Sequence, residues 1–129
     1  MEYVKSFRDL EVYKLSRQLS REIFEFTKRF PKEEMYSLTD QIRRSSRSVG
    51  AQIAETWAKR NYEKHFISKL TDADGEQLET QHWIETAFDC SYISKETADN
   101  LLERYFSLGK MLNSMMDKAN KFCKKTSDH

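Results

Sequence analysis

The sequence predicts an all-α protein, an antiparallel up-down-up-down four-helix bundle. Apolar residues recur at spacings of three and four along most of the chain, the period of helices with one buried face. Three glycines and one proline in 129 residues leave little turn-forming material, so the elements are few and long. The interruptions between them are short, which makes successive helices antiparallel neighbours. A single domain over residues 1–129 is expected, long enough to bury about two-thirds of its unfolded surface in one core.

The first helix is expected over about residues 10–29, with Asp9 as N-cap and Val12, Leu15, Leu19, Ile23, Phe26 and Phe30 forming one stripe. Pro31 disfavours helical geometry at Phe30 and stops the run. Ser37, with Asp40 three residues later, resembles a capping box for a second helix over 38–58. There Leu38, Ile42, Val49, Ile53 and Trp57 alternate with Ser45, Ser46, Gly50, Ala51 and Ala54, whose small side chains let a neighbouring helix come close.

Asn61 is expected to cap a third helix over 62–90, in which Phe66, Leu70, Ala73, Gln77, Ile84 and Ala87 follow one face with a polar gap near Gly75. Glycine costs a helix roughly 1 kcal/mol relative to alanine, so close backbone approach is expected at Gly75. Ser94 caps the last helix, 95–123, with Ile93 and Ala98 placed as a hydrophobic staple. Ala98, Leu101, Tyr105, Leu108, Leu112, Met115, Ala119 and Phe122 then make the strongest heptad pattern of the chain. The closing "KKTSDH" is expected to fray.

Twenty-two Lys and Arg against 21 Asp and Glu leave a formal charge of +1, so no global field draws the chain to nucleic acid or membrane. No apolar run approaches the roughly 18 residues of a membrane span, and no signal-like segment opens the chain, so a cytoplasmic protein is expected. Cys90 and Cys123 lack metal or redox spacing, and Cys90 is read as a buried structural cysteine because no local signature supports a nucleophile with His65 or His82. Glu79 and His82 have the Glu-x-x-His spacing of di-iron bundles, but no second copy exists to complete such a site. The glycine of "DADGE" from Asp72 comes too early for a calcium loop. No catalytic residue, metal or cofactor is expected, and the chain is read as not an enzyme.

Charge is nevertheless uneven. Pro31–Arg60 holds six bases and four acids, while Asn61–Ile93 holds two lysines and seven acids. Arg43, Arg44 and Arg47, with Lys59 and Arg60, are the candidate interface or RNA-binding residues; Asp72, Asp74, Glu76 and Glu79 are their candidate ion-pair partners. Two readings follow. In the first, the arginines pair with the third helix or a neighbouring subunit; in the second, they grip phosphate directly. Trp57 and Trp83 either close the bundle or anchor a partner, and Met111, Met115 and Met116 are read as core filler.

"FRDLEVY" (Phe7 to Tyr13), "FPKEEMYSLTDQIRRSSRSVGAQIAE" (Phe30 to Glu55), "GEQLETQHWIETA" (from Gly75) and "SYIS" (to Ser94) resemble the four-helix bundle proteins encoded in intervening sequences of 23S rRNA genes. Leu38, Gln41, Ile42, Arg44, Ser48, Ile53, Ala54 and Glu55 stand at matching positions. The resemblance implies a bacterial cytoplasmic bundle that assembles as a homopentamer with no established activity. Such a scaffold would recruit a protein or RNA partner, and direct RNA binding by the second helix is the alternative. Gln52, Thr56, Ser45 and Glu76 depart from the usual pattern. Thr56 implies a longer second helix, and Glu76 favours arginine–carboxylate pairing.

Overall fold

The computed structural model describes residues 4–124. Four long helices, α1 (Glu11–Thr27), α2 (Leu38–Ala58), α3 (Glu63–Asp89) and α4 (Lys95–Asp117), pack in sequence as an up-down-up-down bundle, and a short α5 (Ala119–Phe122) completes it. The four apolar stripes converge on one core, in which Leu19, Ile23, Val49, Ile53, Phe66, Leu70, Ile84, Tyr105, Leu108 and Leu112 are at most 1% exposed. Phe30, Leu38 and Ala87 form a smaller cluster at one end, joined by Trp83, Tyr92 and Ile93.

Several helix ends differ from expectation. Asp9 does not cap α1: its carboxylate accepts from the backbone N–H groups of Lys5 and Ser6 and closes a preceding 3₁₀ turn, so Leu10 precedes the helix. α1 ends at Thr27, two residues early, because Lys28, Arg29 and Phe30 donate instead to carbonyls three residues back. Ser37 does not cap α2. Glu34 does, accepting from the Leu38 N–H at 3.4 Å and from the Ser37 hydroxyl at 2.7 Å. Tyr62 rather than Asn61 occupies the cap position of α3, without a side-chain bond.

Ser94 caps α4 as expected, accepting from the Thr97 N–H at 3.1 Å. The last helix breaks at Lys118, yet the heptad stripe carries across the break: Met115 and Ala119 are buried and Phe122 stacks on Phe66 at 5.9 Å. Lys124 donates its backbone N–H to the Arg60 carbonyl, and the tail from 125, expected to fray, lies outside the described residues.

α3 ends in a Schellman motif. The Tyr92 N–H bonds the Ala87 carbonyl, the Ser91 N–H bonds that of Phe88, and Ser91 takes φ 63° where glycine is usual. Gly75 lies in an unbroken helix and a side chain there would meet nothing within 4 Å, which overturns the expected close approach. The approach occurs at Gly109 on α4, where a Cβ would stand 2.7 Å from Gln77 Nε2.

Candidate functional site

Residues one position apart on a helix point about 100° apart, so neighbouring arginines serve different seams. Arg44 faces α3. Its guanidinium bonds Glu79 and lies 3.6 Å from Glu76, whose Oε1 is buried there. Glu79 also accepts from the Trp83 indole N–H at 2.9 Å. That bond, together with Arg44, holds the Glu79 carboxyl below the usual carboxylate range against the opposing effect of burial. A neighbouring polar layer joins the same helices, with the buried Thr80 and Ser45 hydroxyls 2.8 Å apart.

Arg43 and Arg47 face α1 instead. The Arg43 Nε donates to the Thr27 hydroxyl at 2.7 Å, and both guanidinium groups lie over the Phe24 ring, at 4.7 and 5.3 Å from its centre. Arg60 lies over Trp57 at 4.0 Å and donates to that residue's carbonyl. Lys59 is exposed at the end of α2.

Of the acids, Glu76 and Glu79 meet Arg44, whereas Asp72 lies 4.0 Å from Lys69 and Asp74 accepts from Gln77 at 2.9 Å. The structure therefore brings together one arginine and two acids of the expected set. The others are dispersed, Arg43 and Arg47 over the α1–α2 seam, Lys59 and Arg60 at the α2 terminus, Asp72 beside Lys69, which pairs with Glu55 of α2, and Asp74 on the α3–α4 seam.

Two polar contacts escaped the sequence reading. Glu22 and Arg104 form a two-pronged pair between α1 and α4, which holds the Glu22 carboxyl below its ordinary range. Glu34, besides capping α2, accepts from the Tyr92 hydroxyl at 2.8 Å and so ties the α1–α2 connection to the α3–α4 connection. The Ser37 hydroxyl first, then Tyr92, lower the Glu34 pKa, while Glu34 raises that of Tyr92 to about 12. The acid's capping role was hidden because it precedes Ser37, the residue with the stronger local signature.

Among the described residues no group of three or more His, Cys, Asp or Glu is placed to hold a metal. His82 is exposed against the edge of Trp83. Cys90 is exposed rather than buried, because it lies past the last turn of α3, outside the core stripe. Met115 is buried, whereas Met111 is 37% exposed. Trp57 and Trp83 are half-buried against the core. No helix of the described residues is long and apolar enough to cross a membrane.

The family profile described as "23S rRNA-intervening sequence protein" matches residues 8–114. The chain belongs to that family. Its fold is similar to the crystal structure of a protein of unknown function from the S23 ribosomal protein family of Bacteroides thetaiotaomicron, with 27% identity and a TM-score of 0.73 over 82% of this chain and 95% of that one. Among curated proteins none is significantly similar. Of the eight α2 residues by which the sequence resembles the intervening-sequence family, Leu38, Ile42 and Ile53 are core positions, whereas Arg44 makes the α2–α3 ion pair.

Proposed function

We propose that this intervening-sequence family member is a non-enzymatic cytoplasmic scaffold that assembles with copies of itself, as a homopentamer, and recruits a protein or RNA partner on the assembled surface. An apolar flank on α3 and α4 carries the reading. Gln77 meets Gly109 across the α3–α4 seam. Leu78 is about 100° round α3 from Gln77, and Phe106 is one turn before Gly109, so both lie along the outer edge of that seam. Leu78 is 56% exposed and Phe106 58%, and Phe88 and Leu102 line a hollow further along the same seam. Glu85, Asp89, Lys95 and Asp99 rim that hollow, and exposed apolar side chains with a charged rim are the composition of an interaction face.

The test is sedimentation of the Leu78→Asp/Phe106→Asp double variant. The reading expects dissociation to single chains with helix content unchanged by circular dichroism; a sedimentation profile identical to wild type contradicts it. A specific observation favours the second reading, direct RNA binding by α2. Arg43 and Arg47 meet no carboxylate among the described residues.

A further inference from the structure

We propose that the outer edge of the α1–α2 seam is a binding site for single-stranded nucleic acid, held through its backbone phosphates. The inference rests on the RNA-binding reading above and relocates it from α2 alone to a ridge built by two helices. Tyr13, Arg17, Ser20 and Phe24 follow one another at steps of three and four on one stripe of α1, and Lys28, its C-cap in helical conformation, continues the stripe. Arg43 and Arg47 face that stripe from α2. Gly50 brings the α2 backbone close to it, since a Cβ there would lie 3.2 Å from Ser16 Oγ and 3.8 Å from the Tyr13 ring.

Five cations on this edge rest on aromatic rings. Arg8 lies 4.5 Å from the centre of Phe7, Arg17 lies 5.9 Å from that of Tyr13, and Lys28, Arg43 and Arg47 lie 4.9, 4.7 and 5.3 Å from that of Phe24. The Phe7 and Tyr13 rings themselves meet edge to face at 4.9 Å, so the series is continuous at that end. Among these five cations only Lys28 has a carboxylate partner among the described residues, Glu25 at 2.9 Å. Three cations around one ring repel one another. Glu25 offsets the charge of Lys28 and the ring's negative face part of the rest, which leaves Arg43 and Arg47 for a bound anion.

Extent decides the class of anion. From Arg17 to Lys28, the C-cap of α1, the helix rises about 16 Å. Cations strung over that length suit successive phosphates of a polymer better than one compact phosphate, which needs donors converging on a point. Aromatic rings interleaved with cations are the composition of single-strand-binding grooves, where bases stack while the backbone follows the charge. Beside Phe24 and Arg47 lies an open hollow of ≈ 330 Å³ that Ser20, Arg21 and Glu25 also line, with Glu25 turned to its ion pair with Lys28.

The test is fluorescence anisotropy with nuclease-treated full-length protein and a labelled oligouridylate of about 20 nucleotides, titrated at several salt concentrations. The site predicts an affinity that falls with salt. Arg17→Gln/Arg47→Gln should weaken binding at least about tenfold and lower the log–log salt slope by roughly 1.4, the share of two phosphates on a single strand. Lys118→Gln/Lys121→Gln, on exposed positions at the α4–α5 break and on α5, should bind as wild type. Melting curves and light scattering establish that both variants keep the fold and mass. Full binding by Arg17→Gln/Arg47→Gln would overturn the seam and leave the broader RNA reading standing. No binding by wild type at low salt would overturn both. Equal displacement of the oligonucleotide by a phosphopeptide would overturn the nucleic-acid assignment.

Discussion

Replacing each of two glycines by alanine should move stability in opposite directions. Both Gly75 and Gly109 lie inside helices, where alanine gains roughly 1 kcal/mol by helix propensity alone. At Gly75 a new Cβ meets nothing within 4 Å, so the whole gain is realised. At Gly109 it would stand 2.7 Å from Gln77 Nε2 and 3.4 Å from Asp74 Oδ1. Gln77 is only 3% exposed and is tethered on both sides, donating to Asp74 at 2.9 Å and accepting from Gln81 at 2.7 Å.

Moving that amide disrupts hydrogen bonds worth about 1 kcal/mol each and overpacks the seam at a cost of about 1–3 kcal/mol. Set against the propensity gain, Gly109→Ala should lose about 2–4 kcal/mol while Gly75→Ala gains up to about 1 kcal/mol. Urea denaturation of both variants and wild type at one protein concentration measures the difference, concentration being fixed because self-association, where it occurs, contributes to apparent stability. Gly109→Ala as stable as Gly75→Ala would refute the packing argument.

Tyr105 is fully buried and its hydroxyl has no partner among the described residues, so Tyr105→Phe should be neutral or stabilising by about 1 kcal/mol in the same denaturation assay; a loss of that size would reveal a missed partner. Ser91→Gly removes a side chain from a left-handed backbone and should raise stability by about 1 kcal/mol; a thermal midpoint at or below wild type would contradict the strain. The Glu34 carboxyl titrates below its ordinary 4.5, so its charged contacts stabilise the fold above that pH and are lost as pH falls through the depressed value. Wild type should therefore exceed Glu34→Gln in stability near neutrality and lose that advantage in acid; a pH-independent difference would refute the ionic cap.

The core was legible because it depends on local period. Leu19, Ile23, Ile53, Leu70, Ile84, Leu108 and Leu112 declare their buried faces within their own helices, and Ser94 announces its cap three residues away. Contacts set by connection geometry were not. Glu34 outcompetes Ser37 because the turn after Pro31 aims its carboxylate at the Leu38 N–H. Glu22 finds Arg104 across 82 positions, beyond any local pattern. Gly109 was overlooked beside Gly75 because propensity cost is visible in sequence, whereas the identity of the facing side chain, Gln77, is not.

The candidate site was partly legible for the same reason. Opposite charges on successive helices predicted pairing, and Arg44 with Glu76 and Glu79 realises it. The sequence grouped Arg43 and Arg47 with Arg44 because they are near in number. Helical rotation carries them to the opposite seam, where Phe24 rather than a carboxylate receives them.

The most direct test of the scaffold is the solution mass of nuclease-treated wild-type protein by light scattering across a range of concentrations. A mass of five chains that persists on dilution is the predicted result. A mass of one chain at every concentration would contradict the assembly and leave the apolar flank of α3 and α4 without the role assigned to it.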